Sequence, residues 1–281
     1  MHPIEQKLYE FLEHTIDNKA DLPEVLIEEF GERAKEALRK HLNELRDPSF
    51  RLRMSNVGHP LRQLMLTKEH GREKPTPDFV LKMLYGSLYE SLTLTLLKAS
   101  QKIDSLDEAV SLALGNAKQI DGTLDVIIDG KVFDIKTASP YAFDNKFKSW
   151  EDILNQDDFG YMAQGFGYAI AKKLKFGGWI VVNKSTGAFK VVPIPEEVHD
   201  ELAKTFLEEI QFKVDYIDGD NPTPTCDGVV EETYFKKLTG RKILGPKCRW
   251  CPHKNVCHPG VKYLPSQASK AASPKWTYYV D

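Results

Sequence analysis

No stretch of this 281-residue chain reaches the roughly 18 consecutive apolar residues that a membrane-spanning helix requires. The N-terminal segment, Met1 to Lys19, is mixed and acidic and has no apolar core of the kind a secretory leader carries, so a cytoplasmic location is expected. No internal repeat and no helicase motif is present, so an unwinding or recombination partner would be a separate chain. Cysteine is scarce, four residues in all, and none precedes Cys226. Acidic residues are missing between Tyr234 and Val280. What is there is ordinary for a folded protein: 41% hydrophobic and 28% charged residues exclude wholesale disorder. The length suits one large domain or a core with an appendage.

The formal net charge of −3 hides a strong asymmetry. Residues 236–281 carry ten Lys and Arg and a single acid, Asp281, whereas residues 1–235 carry 28 basic and 40 acidic side chains. A basic segment on an acidic body suits a phosphate backbone. A solvated basic tail would have the same composition, and charge alone does not separate the two.

Helical spacing predicts helices over Ile4 to Asn18, Leu22 to Leu45 and Asp78 to Ser100, the last apolar at Phe79, Met83, Leu84, Leu88, Leu92 and Leu96 and opened by Pro77. Residues 47–77 read as irregular, and Leu106 to Leu114 as a short helix. Gly122 to Ala138 switches to strand character, with β-branched runs flanking Asp129-Gly130, a strong hairpin signal. Asp158 to Lys175 and Glu196 to Phe212 read as helices, Trp179 to Asn183 and Phe189 to Ile194 as strands. From Asp218 onward the chain is rich in Pro, Gly and Cys. This order argues α/β or α+β with one mixed sheet.

A two-residue Asp129-Gly130 turn pairs Ile128 with Lys131, Ile127 with Val132, Val126 with Phe133 and Asp125 with Asp134. Two carboxylates then oppose each other, and Lys136 points the same way as Asp134. Like charges directly opposite destabilise a hairpin, so this placement needs a cation, which Lys136 and a bound Mg²⁺ or Mn²⁺ would supply. Carboxylate-held divalent ions suit phosphodiester hydrolysis, because they stabilise developing charge and acidify the attacking water. The lysine would orient that water or neutralise charge. A structural Asp–Lys ion pair at a strand end reads the same from the hairpin alone. Glu90, on a largely apolar helix, would complete the site from a neighbouring element, although an exposed helix glutamate is the commoner fate. Gln164 and Tyr168, spaced i, i+4, share one helix face.

Gly122-Thr123-Leu124-Asp125, then Asp134-Ile135-Lys136, then Gln164-Gly165-Phe166-Gly167-Tyr168 resemble, in order and spacing, the successive motifs of the PD-(D/E)XK nuclease superfamily, with the Gln-x-x-x-Tyr element of its RecB-like branch. The likeness runs over residues 86–195. It implies a restriction-endonuclease-like α/β core, a mixed central sheet flanked by helices. It implies a divalent-metal deoxyribonuclease in which Asp125 and Asp134 ligate the metal, Lys136 is the catalytic lysine, and Gln164 and Tyr168 lie near DNA. Glu90 matches the acidic residue of the preceding helix, a position often held by histidine in that branch. The resembling proteins mostly act on DNA ends, which points to an exonuclease in repair or recombination working on single strands or ended duplex. A structure-selective endonuclease on the same core, and an iron–sulfur DNA-binding module without catalysis, are the alternatives.

Cys248-x2-Cys251-x5-Cys257, with Cys226 upstream, can close a tetrahedral zinc site or an iron–sulfur cluster, and the spacing does not choose between them. The run is similar to the iron–sulfur staple of RecB-like nucleases, including CRISPR-associated exonucleases, which implies a [4Fe–4S] cluster, with Zn²⁺ as the alternative. In those proteins the first cysteine commonly precedes the core. Here that region, Ser55 to Arg62, offers only His59, so Cys226 is assigned as the fourth ligand. Lys242, Lys247, Arg249 and Trp250 interleave with the cysteines and are expected to contact DNA through phosphates and base stacking. The tail aromatics Trp276, Tyr278 and Tyr279 would either stack on DNA or dock onto the body. The expected organisation is an N-terminal helical region over 1–76, the nuclease core over 77–212, and a C-terminal iron–sulfur segment with a basic tail over 213–281.

Overall fold

The Asp129-Gly130 dipeptide turns the chain as its composition demands. Both residues take positive φ, 50° and 70°, the conformation of a two-residue turn that matches strand twist. The Gly130 N–H is held by Asp104 Oδ2 at 2.8 Å. In the computed structural model, which describes all residues except 45–48, 72–73, 226–227 and 281 and the side chain of Asn116, this turn joins β2 (Gln119–Ile128) to β3 (Lys131–Ala138). Three further strands, β1 (Ser105–Ala113), β4 (Lys175–Asn183) and β5 (Phe189–Pro193), complete a five-stranded sheet ordered β1-β2-β3-β4-β5. Only the β3–β4 pair is parallel; the others are antiparallel. The chain is thus α/β with a mixed sheet, as expected.

Helices cover both faces of this sheet. On one face, α1 (Pro3–Ile16) and α5 (Pro77–Ser100) bury Ile4, Leu8, Leu94 and Leu97 against Val126, Ile128, Phe133, Ile135 and Ile180. On the other, beyond the short helices α6 (Pro140–Asp144) and α7 (Trp150–Asn155), α8 (Tyr161–Lys172) and α9 (Glu196–Asp218) bury Phe166, Ala169, Phe206 and Ile210 against Val132, Phe176, Trp179 and Val181. The unusual apolarity of β4 follows from being covered on both faces. Its ladder to β3 slips one residue between Val132 and Phe133, passing over Gly177, where a Cβ would meet the Phe133 ring at 2.3 Å.

Helix α5 begins at Thr76, whose hydroxyl accepts from Phe79 N, followed by Pro77 in the first turn. Its buried side is only partly the one the sequence suggested: Leu84 is buried and Leu88 and Leu96 are half-buried. Phe79, Met83 and Leu92 are exposed, while Ser91, Thr93 and Thr95 turn inward and donate to carbonyls four residues back. Two further expectations are corrected. Residues 105–113 form β1, not a helix, because they pair along their length with β2. Residues 47–77, read as irregular, contain α3 (Met54–Val57) and α4 (Leu61–His70). Helix α2 (Glu24–Leu38) runs on into a π-helical turn at Arg39–Asn43.

The chain forms two compact units that are not contiguous in sequence. Met1–Asp47, Leu52–Gly58 and Pro75–Asp215 make the first; Pro48–Arg51, His59–Lys74 and Tyr216–Asp281 make the second. The second holds a sheet ordered β6 (Val229–Tyr234), β7 (Lys237–Leu244), β9 (Trp276–Val280), β8 (Lys262–Pro265). The aromatic tail therefore docks as a strand. Tyr279 is buried and donates to Glu232 Oε1 at 2.7 Å, and Thr239 donates to the other oxygen of that buried carboxylate at 2.8 Å. Among the described residues no helix is long and apolar enough to cross a membrane.

Candidate active site

The β2–β3 ladder pairs Ile128 with Lys131, Ile127 with Val132 and Val126 with Phe133, the expected register, and then stops. Asp125 and Asp134 are not a ladder pair. Beyond them β3 continues alongside β4 to Ala138 and β2 continues alongside β1, so the aspartates sit where the two strands diverge. The Asp125 carboxylate fills the fork: its Oδ2 accepts the Ile135 N–H at 2.6 Å, a backbone donor the broken ladder would leave unpaired. Opposite Asp125 on β1, Asp107 is skipped by the otherwise even pairing and holds φ at 48°.

Asp134 is 1% exposed. The Lys136 ammonium lies 2.6 Å from its Oδ2, and apart from that ion pair neither oxygen has a hydrogen-bond partner among the described residues. Lys136 also donates to Gln164 Oε1 at 3.2 Å, and Gln164 Nε2 donates to Tyr168 OH at 3.3 Å. Four of the residues singled out by spacing (Asp134, Lys136, Gln164, Tyr168) are thus joined in one chain of contacts running from β3 to α8. Glu90 arrives from α5, in the opposite helical layer, and shares the field of the same charges.

The electrostatics reflect this crowding. Burial, with the Asp134 and Glu90 charges behind it, pushes the Asp125 carboxyl well above the usual range, against the pull of Lys136 and the Ile135 N–H. Burial likewise raises Asp134, opposed by Lys136. Glu90 is pushed up to about 7, chiefly by burial and then by Asp107 and Asp134, opposed by Lys136. The two aspartates hold Lys136 firmly protonated despite its burial. Tyr168 is pushed up to about 12 by burial, with Asp134 and Asp125 adding to it. Several carboxyls with raised proton affinity around one lysine form an arrangement in want of positive charge.

Sequence spacing missed three contributors. Asp107 lay in a stretch read as helix; it raises Glu90 and pairs with Arg33 at 3.9 Å. Asp157 accepts the Tyr161 and Met162 N–H groups at 2.8 and 2.9 Å at the start of α8, and its charge acts on Asp134. Tyr161 lies under Lys136, whose Nζ is 5.1 Å from the ring centroid. An aspartate just ahead of a helix start was the one available signal, for Asp157.

Among the described residues no three His, Cys, Asp or Glu side chains are grouped to hold a metal ion. The donor chemistry nevertheless fits a hard divalent cation: buried carboxylates, one of them, Asp134, met among the described residues only by the Lys136 ammonium.

In the second unit Cys248 is buried and Cys251 and Cys257 are half-buried. Cys226 lies outside the described residues. Arg62 donates from Nε to Cys257 Sγ at 3.2 Å, a contact that suits a thiolate. Gly228 packs so tightly that a Cβ there would fall 1.9 Å from Cys248 Sγ. His253 is buried and its Nε2 meets Thr67 Oγ1 at 2.8 Å; His59 Nδ1 meets Gln63 Nε2 at 3.1 Å. Lys242 lies exposed on β7. Lys247 and Arg249 belong to the short helix Pro246–Arg249, and Trp250 follows it, 63% exposed.

No protein-family model matches the chain, and no curated protein matches it. Among solved structures it is similar to one described as the crystal structure of SSO0001, at 14% sequence identity and a TM-score of 0.43, covering 80% of this chain and 94% of that one. So distant a likeness leaves the description of the site to rest on the chain's own geometry.

Proposed function

We propose that this protein is a divalent-metal-dependent deoxyribonuclease with a restriction-endonuclease-like core, acting on DNA ends or single strands. The observation that carries the reading is Asp134: a carboxylate shut away from solvent whose one contact among the described residues is the Lys136 ammonium, at a strand fork shared with Asp125 and within the field of Glu90. An isolated structural ion pair has no need of two further carboxyls of raised proton affinity beside it, and burying such charge without a partner is costly. Asp134, Asp125 and Glu90 would hold Mg²⁺ or Mn²⁺, which when bound stabilises charge on the phosphoryl oxygens and acidifies a water. Lys136 remains protonated and is anchored by Gln164, so it can neutralise charge or orient the attacking water. Asp125 fixes the fork by holding Ile135 N–H. Cys248, Cys251, Cys257 and Cys226 would hold a [4Fe–4S] cluster that staples the basic second unit, whose Lys242, Lys247, Arg249 and Trp250 would contact DNA.

The test is cleavage of end-labelled single- and double-stranded DNA with Mg²⁺, Mn²⁺ or chelator. Lys136→Ala and Asp134→Ala should each lower cleavage by at least about a hundredfold, the scale of losing a preorganised electrostatic contact. Wild-type rates in both variants, or equal degradation in chelator, would sink the reading.

A further inference from the structure

A column of aromatic rings leads from Lys136 to the surface. Tyr161, whose ring lies under the Lys136 ammonium, stacks on Phe159 with centroids 5.8 Å apart and planes at 22°. Tyr161 also stacks on the buried Phe147 at 5.9 Å and 22°. Phe159 ends the column and is 43% exposed, although a large apolar ring gains by burial. A second cation belongs to the same assembly: Lys146 Nζ lies 4.3 Å from the Tyr161 centroid and 5.0 Å from that of Phe159.

The column is held rigidly. Between Phe159 and Tyr161 in the chain stands Gly160, at φ 74°, packed against Gly58 so closely that a Cβ on either would lie 2.3 Å from the other's Cα. Asp157 ties down the next turn through the N–H groups of Tyr161 and Met162. An exposed ring on so constrained a turn has already lost the freedom that binding would otherwise remove.

We propose that Phe159 is a base-stacking subsite for single-stranded DNA, with Lys146 beside it for the strand's phosphates, delivering the strand toward Lys136. The proposal rests on the nuclease reading for its choice of ligand. A flat π-face next to an ammonium matches the alternation of base and phosphate along an unpaired strand. A base-paired duplex keeps its bases stacked inside and cannot offer one to Phe159 without unpairing, so the subsite selects unpaired nucleotides at the site of cleavage.

The test is binding in chelator, where no cleavage occurs, read by fluorescence anisotropy of a labelled deoxythymidine oligonucleotide. Phe159→Ala should weaken binding by about five- to 150-fold, the range for one base–aromatic stack. Phe159→Trp should keep it within about threefold. On an abasic strand of the same length, which keeps its phosphates, wild type and Phe159→Ala should bind alike. Thermal melting should show both variants fully folded at the temperature of the binding assay, because the ring lies at the surface and its loss removes only part of the packing on Tyr161. Wild-type affinity of Phe159→Ala for the deoxythymidine strand would overturn the subsite, as would an equal loss on the abasic strand. A wild-type protein with no affinity for either strand would overturn it too. If the binding pattern holds but no DNA is cut with Mg²⁺ or Mn²⁺, the nuclease reading fails and the subsite stands.

Discussion

Replacing Glu90 by glutamine should stabilise the metal-free protein at alkaline pH. Glu90 carries its proton up to about pH 7 in the folded chain, against an ordinary value of 4.5. The folded state therefore binds more protons than the unfolded state between those values, and stability falls as pH rises through that window. At about 1.4 kcal/mol per pH unit the full penalty reaches about 3 kcal/mol. Glu90 is only partly buried and shares its field with Lys136, so about 1–2 kcal/mol is the realistic part. Glutamine keeps the shape and cannot ionise. Urea unfolding of wild type and Glu90→Gln in chelator, at pH 4.5, 6, 7 and 8, should show equal stability at the acid end and a glutamine advantage that grows to about 1–2 kcal/mol by pH 8. Added Mn²⁺ should then stabilise wild type more than the variant, since the carboxylate that burdens the metal-free fold is the one a cation would neutralise. A variant no more stable than wild type at pH 8, or an advantage that persists undiminished at pH 4.5, would refute the argument.

Gly160→Ala should lower stability by about 2–4 kcal/mol in urea unfolding, because a Cβ there combines a positive φ with a collision against the Gly58 backbone. Anaerobically purified protein should be brown and contain iron and sulfide; a colourless protein with stoichiometric zinc would instead assign the cysteines to a zinc site.

The elements that were legible are those decided locally. Asp129-Gly130 sets the hairpin register by its own backbone preferences, and three of the four expected pairs follow from it. Helix α5 was legible in extent, since Thr76 and Pro77 start it, but not in orientation: it is apolar on several sides, and its inner face is settled by where Leu94 and Leu97 meet the sheet. Strand β1 was illegible because Leu106, Val110 and Leu114 recur every four residues, which fits a helix as well as any strand; only the distant partner β2 decides. The β6–β7 turn at Phe235 and Lys236 takes φ of 48° and 64° without the Gly or Asn that normally signals it. The second sheet was invisible because its buried carboxylate, Glu232, is met by Tyr279 from 47 residues away as well as by the nearby Thr239.

The site was legible as a list of residues and illegible as an arrangement. An opposed aspartate pair on a flat hairpin would carry a direct like-charge clash. The fold avoids it by ending the ladder one pair earlier and giving Asp125 a backbone N–H to hold. The divergence that relieves the clash also opens the fork, and into that fork come Lys136 from β3 and the charge of Glu90 from the opposite helical layer. The carboxyls are raised chiefly because they are buried together, and Lys136 neutralises their charge only in part. That incomplete neutralisation is what a divalent cation would complete, and it is why the metal-free fold should respond to Glu90→Gln.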